Sequence, residues 1–179
     1  RHCDFKLKIG ANPVEQDVRH VAAIKEALGD RASVRVDVNQ AWDESTAVRG
    51  IQALQDAGIE LIEQPIPARE YAGLVRLANR FNVPMLADEA VQDARDGLDL
   101  ICSGFSGAFA LKIAKSGGIH GALELAHLAQ AAGIGLYGGT LLEGTIGTAA
   151  SLHAWATLPE MAWGTEMFDP LLLTDDIVI

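Results

Sequence analysis

The stretch SVRVDVNQAWDESTAVRGIQALQDAGIELIEQP, residues 33–65, decides the fold. It opens with an apolar, β-branched run ending in a carboxylate (SVRVDV, 33–38), continues with a helical period beginning near Asp43, and closes on a second short strand, LIEQ (61–64). Strand, helix and strand in that order indicate two parallel strands joined by a crossover helix.

Outward from this stretch the unit repeats at an interval of roughly 25 residues. Further strands are expected at FKLKI (5–9), PMLADE (84–89), AFALKI (108–113), GIGLYGG (133–139) and AWGTEM (162–167), and further helices near Pro13, Arg69, Gln92, Gly118 and Gly144. Asn12 before Pro13 reads as a helix N-cap with proline at the first helical position, and Gly29 as the stop. No linker or change of composition interrupts the array, so residues 1–179 read as one domain. Seven strands in strict alternation predict an eight-stranded (β/α) barrel lacking one strand, although an open doubly wound sheet shares the local pattern.

The 179 residues are 49% hydrophobic, which suffices for a sizeable core, and carry a net charge of -10, which leaves no basic stripe for nucleic acid. No apolar run approaches the length of a membrane span, and no signal peptide is visible at Arg1. Cys3 and Cys102 have no paired spacing and read as reduced thiols of a cytoplasmic protein. His2, His20, His120, His127 and His153 show no ligand spacing, and Trp42, Trp155 and Trp163 read as packing residues.

Strands buried on both faces should be apolar throughout, yet Asp37, Glu63 and Asp88 end three successive ones, separated by 26 and 25 residues. On one rim of a barrel such carboxylates repel one another unless a cation lies between them, and an all-oxygen set suits Mg²⁺ or Mn²⁺. Separate helix caps or arginine pairs would explain any one of them alone. Lys6 and Lys8, two apart, share a strand face, where each amine raises the cost of protonating the other and favours acid or base chemistry. Lys112 ends another strand, whereas Lys115 reads as a solvated or helix-capping charge. The GLYGGT segment (135–140) offers backbone amides to a carboxylate, and Glu166 ends the last expected strand.

Taken together, the chain resembles the enolase superfamily, in its muconate-lactonizing branch related to mandelate racemase. The resemblance is carried by Lys6-Leu7-Lys8, DVNQAW (37–42), EQP (63–65), ADE (87–89), LKIAKSGG (111–118), GLYGGTLLEGTIG (135–147) and WGTEMFDPLLL (163–173), in order over the whole chain. It implies that Asp37, Glu63 and Asp88 ligate Mn²⁺ or Mg²⁺, that Lys8 is the acid/base with Lys6 as its electrostatic neighbour, and that Lys112 serves the opposite face of the substrate. Asn39 would support the metal site and Glu89 would orient or pair with a site lysine. Glu166 would be the acidic residue of the last strand, and Gly139 and Thr140 would line the carboxylate end of the pocket. The implied reaction is lactonization of cis,cis-muconate, or chloromuconate, through an enolate, in the catabolism of aromatic compounds. The small-molecule dicarboxylate is the partner, with no nucleic acid or membrane involved, and the full-length enzyme would be a homo-oligomer. N-acylamino acid racemase, o-succinylbenzoate synthase and dipeptide epimerase share these motifs, and a non-catalytic barrel fragment is the alternative of another class. Asp169 stands where the pattern leads one to expect glycine before Pro170. Family members also carry an N-terminal capping domain and a first barrel strand. Neither is expected here, so the barrel reads as incomplete at both ends, with unpaired strand edges.

Overall fold

Residues 2–178 are described by a computed structural model, in which the chain forms two compact units: residues 2–90 with 103–107, and residues 91–102 with 108–178. The first unit runs β1 (Asp4–Lys8), α1 (Val14–Leu28), β2 (Ser33–Asp37), α2 (Glu44–Asp56), β3 (Leu61–Glu63), α3 (Tyr71–Arg80) and β4 (Met85–Ala87). Its four strands are parallel and neighbour one another in chain order, as short crossover helices dictate. Val34, Val36, Ile62, Met85 and Leu86 are fully buried, so the strands need apolar side chains on both faces.

The helices of this unit show why the sequence folds locally as it does. Asp43 caps α2 by accepting a hydrogen bond from the Thr46 amide at 2.7 Å, which holds its carboxyl below the usual range. Ala47, Gly50, Ile51 and Leu54 then form the buried stripe. Gly50 costs the helix about 1 kcal/mol relative to alanine, but a Cβ there would lie 2.7 Å from the Trp42 ring and 2.8 Å from Val14. Close packing accounts for the glycine. The start of α1 differs from expectation. Pro13 itself occupies the cap position, and Asn12 donates to the buried Asp17 carboxylate, which also accepts from the Gly10 amide. Gly29 ends α1 with φ at +56°, as expected of a helix stop.

The second unit contains α4 (Ala94–Cys102), β5 (Ala108–Leu111), α5 (Ile119–Ala131), β6 (Gly135–Gly138), α6 (Thr145–Trp155) and a 3-10 turn at Asp169–Leu172. Parallel β5 and β6 pair from Ala108 with Gly135 to Leu111 with Gly138, and Phe109, Leu111, Leu125 and Ala129 fill the core. The strand expected at 162–167 is reduced to one parallel bridge between Thr165 and Gly138. Gly164, at φ +71° and donating to Met161 O, turns the backbone out of the extended conformation just before it. Both cysteines are exposed and lie outside any disulfide. Among the described residues no helix is long and apolar enough to cross a membrane.

Candidate metal and proton-transfer site

Register assembles the site in the first unit. Lys8 pairs with Asp37, and Asp37 pairs with Glu63, so three ionisable residues form one row across the C-terminal ends of β1, β2 and β3. Asp88 lies two residues beyond Leu86, the register partner of Glu63, and strand alternation returns it to the same face. Asp37 and Glu63 are 1% exposed and Asp88 is 3% exposed, so all three carboxylates are out of water.

Burial at that level is tolerated only where partners exist. Lys6 Nζ donates to Glu63 Oε2 at 2.9 Å and lies 3.9 Å from Asp37 Oδ2. Lys8 Nζ donates to Asp37 Oδ2 and, at 3.0 Å, to Asn39 Oδ1. Asn39 Nδ2 in turn reaches Glu89 Oε1 at 3.3 Å, and the Asn39 amide donates to Asp37 Oδ1 at 2.9 Å. Each amine therefore meets a carboxylate, where strand alternation alone set it beside the other amine, and Glu89 reaches Lys8 through Asn39. The Lys6 side chain is 15% exposed and that of Lys8 63%, leaving the Lys8 amine accessible to a substrate.

Glu63 reports the crowding. Burial pushes its carboxyl up to about 7; the charge of Lys6 opposes the rise, and Asp37 and then Asp88 add to it. Its Oε1 is buried without a hydrogen-bond donor. An unsatisfied buried carboxylate oxygen beside two further buried carboxylates is the donor chemistry a hard divalent cation requires, and in that respect the residues fit the ion. Among the described residues no group of three or more acidic, histidine or cysteine side chains already stands gathered around an ion position; the lysine amines hold Asp37 and Glu63 instead.

The second unit carries the other expected residues. Lys112 follows β5 and is 7% exposed; a Cβ added to Gly139 would come within 2.8 Å of its Cε, so the absent side chain of Gly139 makes room for the lysine. The Gly139 amide donates to Leu111 O at 2.9 Å, which sets Thr140 immediately after the strand pair. Glu166 Oε2 accepts from the Tyr137 hydroxyl, and the Glu166 amide donates to Gly138 O. Lys115, expected in solvent or at a helix end, donates to Ala110 O at 3.1 Å. The histidines are exposed, and Trp42 and Trp155 are buried, as packing residues should be.

Two residues escaped the sequence reading. Tyr137 was hidden within a glycine-rich strand. Gln64 carried one signal, a polar side chain set between a strand-end carboxylate and a proline.

Residues 2–179 match the family model described as enolase C-terminal domain-like. The chain is 58% identical over 178 residues to muconate cycloisomerase 1 of Pseudomonas putida, covering 99% of this chain and 48% of that protein. It is 47% identical over 175 residues to a chloromuconate cycloisomerase of Delftia acidovorans, covering 98% and 47%. A crystal structure of muconate lactonizing enzyme from Klebsiella pneumoniae superposes with a TM-score of 0.95 at 63% identity, over 97% of this chain and 49% of that one. The chain thus spans about half the length of the relatives it matches. These matches identify the alternating parallel array with the (β/α) barrel type rather than an open doubly wound sheet.

Proposed function

Because the chain belongs to the enolase C-terminal domain-like family, we propose that the protein containing it is a muconate cycloisomerase that uses Mg²⁺ or Mn²⁺ to close cis,cis-muconate reversibly to muconolactone. The observation that carries this reading is the in-register row of Lys8, Asp37 and Glu63, with Asp88 near enough to raise the Glu63 carboxyl. Higher identity to the muconate relative than to the chloromuconate relative supports muconate as the substrate.

A divalent ion bound by Asp37, Glu63 and Asp88 would supply positive charge against the substrate carboxylate on which negative charge develops. In the forward direction one carboxylate oxygen of muconate adds to the diene, and the new C–O bond displaces the electron pair onto the carbon next to the other carboxylate. Lys8 Nζ donates a proton to that carbon, and the neutral amine removes it in reverse. Asn39, braced by Glu89, orients the amine at 3.0 Å, while Lys6 keeps a positive charge at Glu63. Lys112 is proposed as the second lysine of the reaction, Gly139 and Thr140 as carboxylate-binding residues, and Glu166 as an acidic residue held by Tyr137. The same reading places substrate loops on a capping domain of the full-length protein, and the enzyme in the cytoplasm as a homo-oligomer acting on a small dicarboxylate.

The test uses the full-length protein with Mn²⁺ and follows the conjugated diene absorbance of cis,cis-muconate. Steady loss of absorbance is expected; no turnover would sink the assignment.

A further inference from the structure

Gln64 is fully buried and directly follows Glu63. Its Oε1 accepts from the Asp88 amide at 3.0 Å and the Ala90 amide at 3.1 Å, and its Nε2 donates to Ile66 O at 2.9 Å. Its backbone amide donates to Leu86 O at 2.9 Å, and its carbonyl accepts from the Gln40 amide at 2.8 Å. One residue thereby ties the chain after β2 and the far end of β4 to β3. Backbone register between β3 and β4 runs through Glu63 with Leu86, and beyond that point the Gln64 side chain supplies the acceptors for the segment carrying Asp88.

The backbone at Gln64 has φ +35°, a region that favours glycine. Among the described residues four non-glycine positions have positive φ, and three of them, Asn39, Gln40 and Gln64, follow the strand ends bearing Asp37 and Glu63. A glycine would relieve the backbone and forfeit all three side-chain hydrogen bonds, so the strained position is kept for its amide group.

We infer that Gln64 is a positioning residue that sets the affinity of the Asp37, Glu63 and Asp88 site for its ion by fixing the Asp88 backbone relative to Glu63. This deepens the metal-site reading above and rests on it. Groups that orient ligands typically change metal affinity when removed, even without touching the ion.

The experiment is a Mn²⁺ titration of the full-length protein without substrate, read by electron paramagnetic resonance, alongside hydrogen exchange at the Asp88 and Ala90 amides. Gln64→Leu leaves both amides without an acceptor, and roughly ten- to hundredfold weaker Mn²⁺ binding with loss of protection at both is expected. Gln64→Glu keeps an acceptor oxygen, so both amides stay protected and the affinity stays closer to wild type than in Gln64→Leu. Wild-type Mn²⁺ affinity in folded Gln64→Leu overturns the inference. Should Gln64→Leu not fold, Mn²⁺ affinity in Gln64→Glu that does not follow protection of the Asp88 and Ala90 amides overturns it instead. Asp88→Asn separates the two failures: unchanged Mn²⁺ binding there rejects the metal site itself, whereas weakened binding there with an unaffected Gln64→Leu rejects only the role of Gln64.

Discussion

In the first unit Lys6, Lys8, Asp37, Asn39, Glu63 and Glu89 are held by one another through ion pairs and hydrogen bonds. In the second, Lys112 takes the space left by Gly139, Glu166 meets a tyrosine hydroxyl, and Leu141, Leu142, Leu171, Leu172 and Ile177 are exposed nearby in the sequence. Buried charges on adjacent strand ends must be neutralised by opposite charges, because desolvation otherwise exceeds what packing returns. A side chain threaded past a glycine depends on volume. The first unit should therefore be sensitive to changes of charge, and the second to changes of size.

The largest effect is expected from Lys8→Ala in the full-length protein. Loss of the proton donor should lower turnover of muconate by about 10²- to 10⁴-fold while Mn²⁺ affinity stays near wild type. A parallel collapse of Mn²⁺ binding in the titration would show that the amine is part of the ion site rather than a proton carrier.

Next comes the pH dependence of the chelator-treated protein. Glu63 has a folded pKa of about 7, raised mainly by burial above an ordinary value of 4.5. The folded state therefore holds the proton more tightly than the unfolded chain. Its contribution is fully present below about pH 4.5 and is lost as pH rises through 7. Chemical denaturation should show that part of the stability, up to ~3 kcal/mol, falling away across this window, and Glu63→Gln should flatten it. A profile for Glu63→Gln that matches wild type would break the link between burial and charge.

A smaller effect is expected in the second unit. Gly139→Ala places a Cβ within 2.8 Å of Lys112 Cε, so the lysine must shift, and turnover should fall roughly ten- to hundredfold with Mn²⁺ affinity unchanged. Weaker ion binding in this variant would erase the distinction between the two units.

Much of the first unit was legible in the chain itself. A strand face repeats every two residues, so Lys6 and Lys8 had to share a side, and carboxylates at the ends of successive strands had to gather at the same end of the sheet once those strands were parallel. AWGTEM misled because its composition suits a strand while Gly164 turns the backbone. Asn12 misled because the buried Asp17 competes for its amide. Neither outcome follows from local propensity, which is blind to what packs opposite.

By itself the sequence determined the alternation of strands and helices, the three carboxylates at strand ends and the lysines that accompany them, because these are properties of spacing. Tertiary structure alone decided that Lys6 would meet Glu63, that Asn39 would join Lys8 to Glu89, that Gly139 would yield to Lys112, and that Gln64 would hold Asp88. Those contacts join positions distant along the chain, and which atoms meet depends on register, burial and the hydrogen bonds left unmade elsewhere.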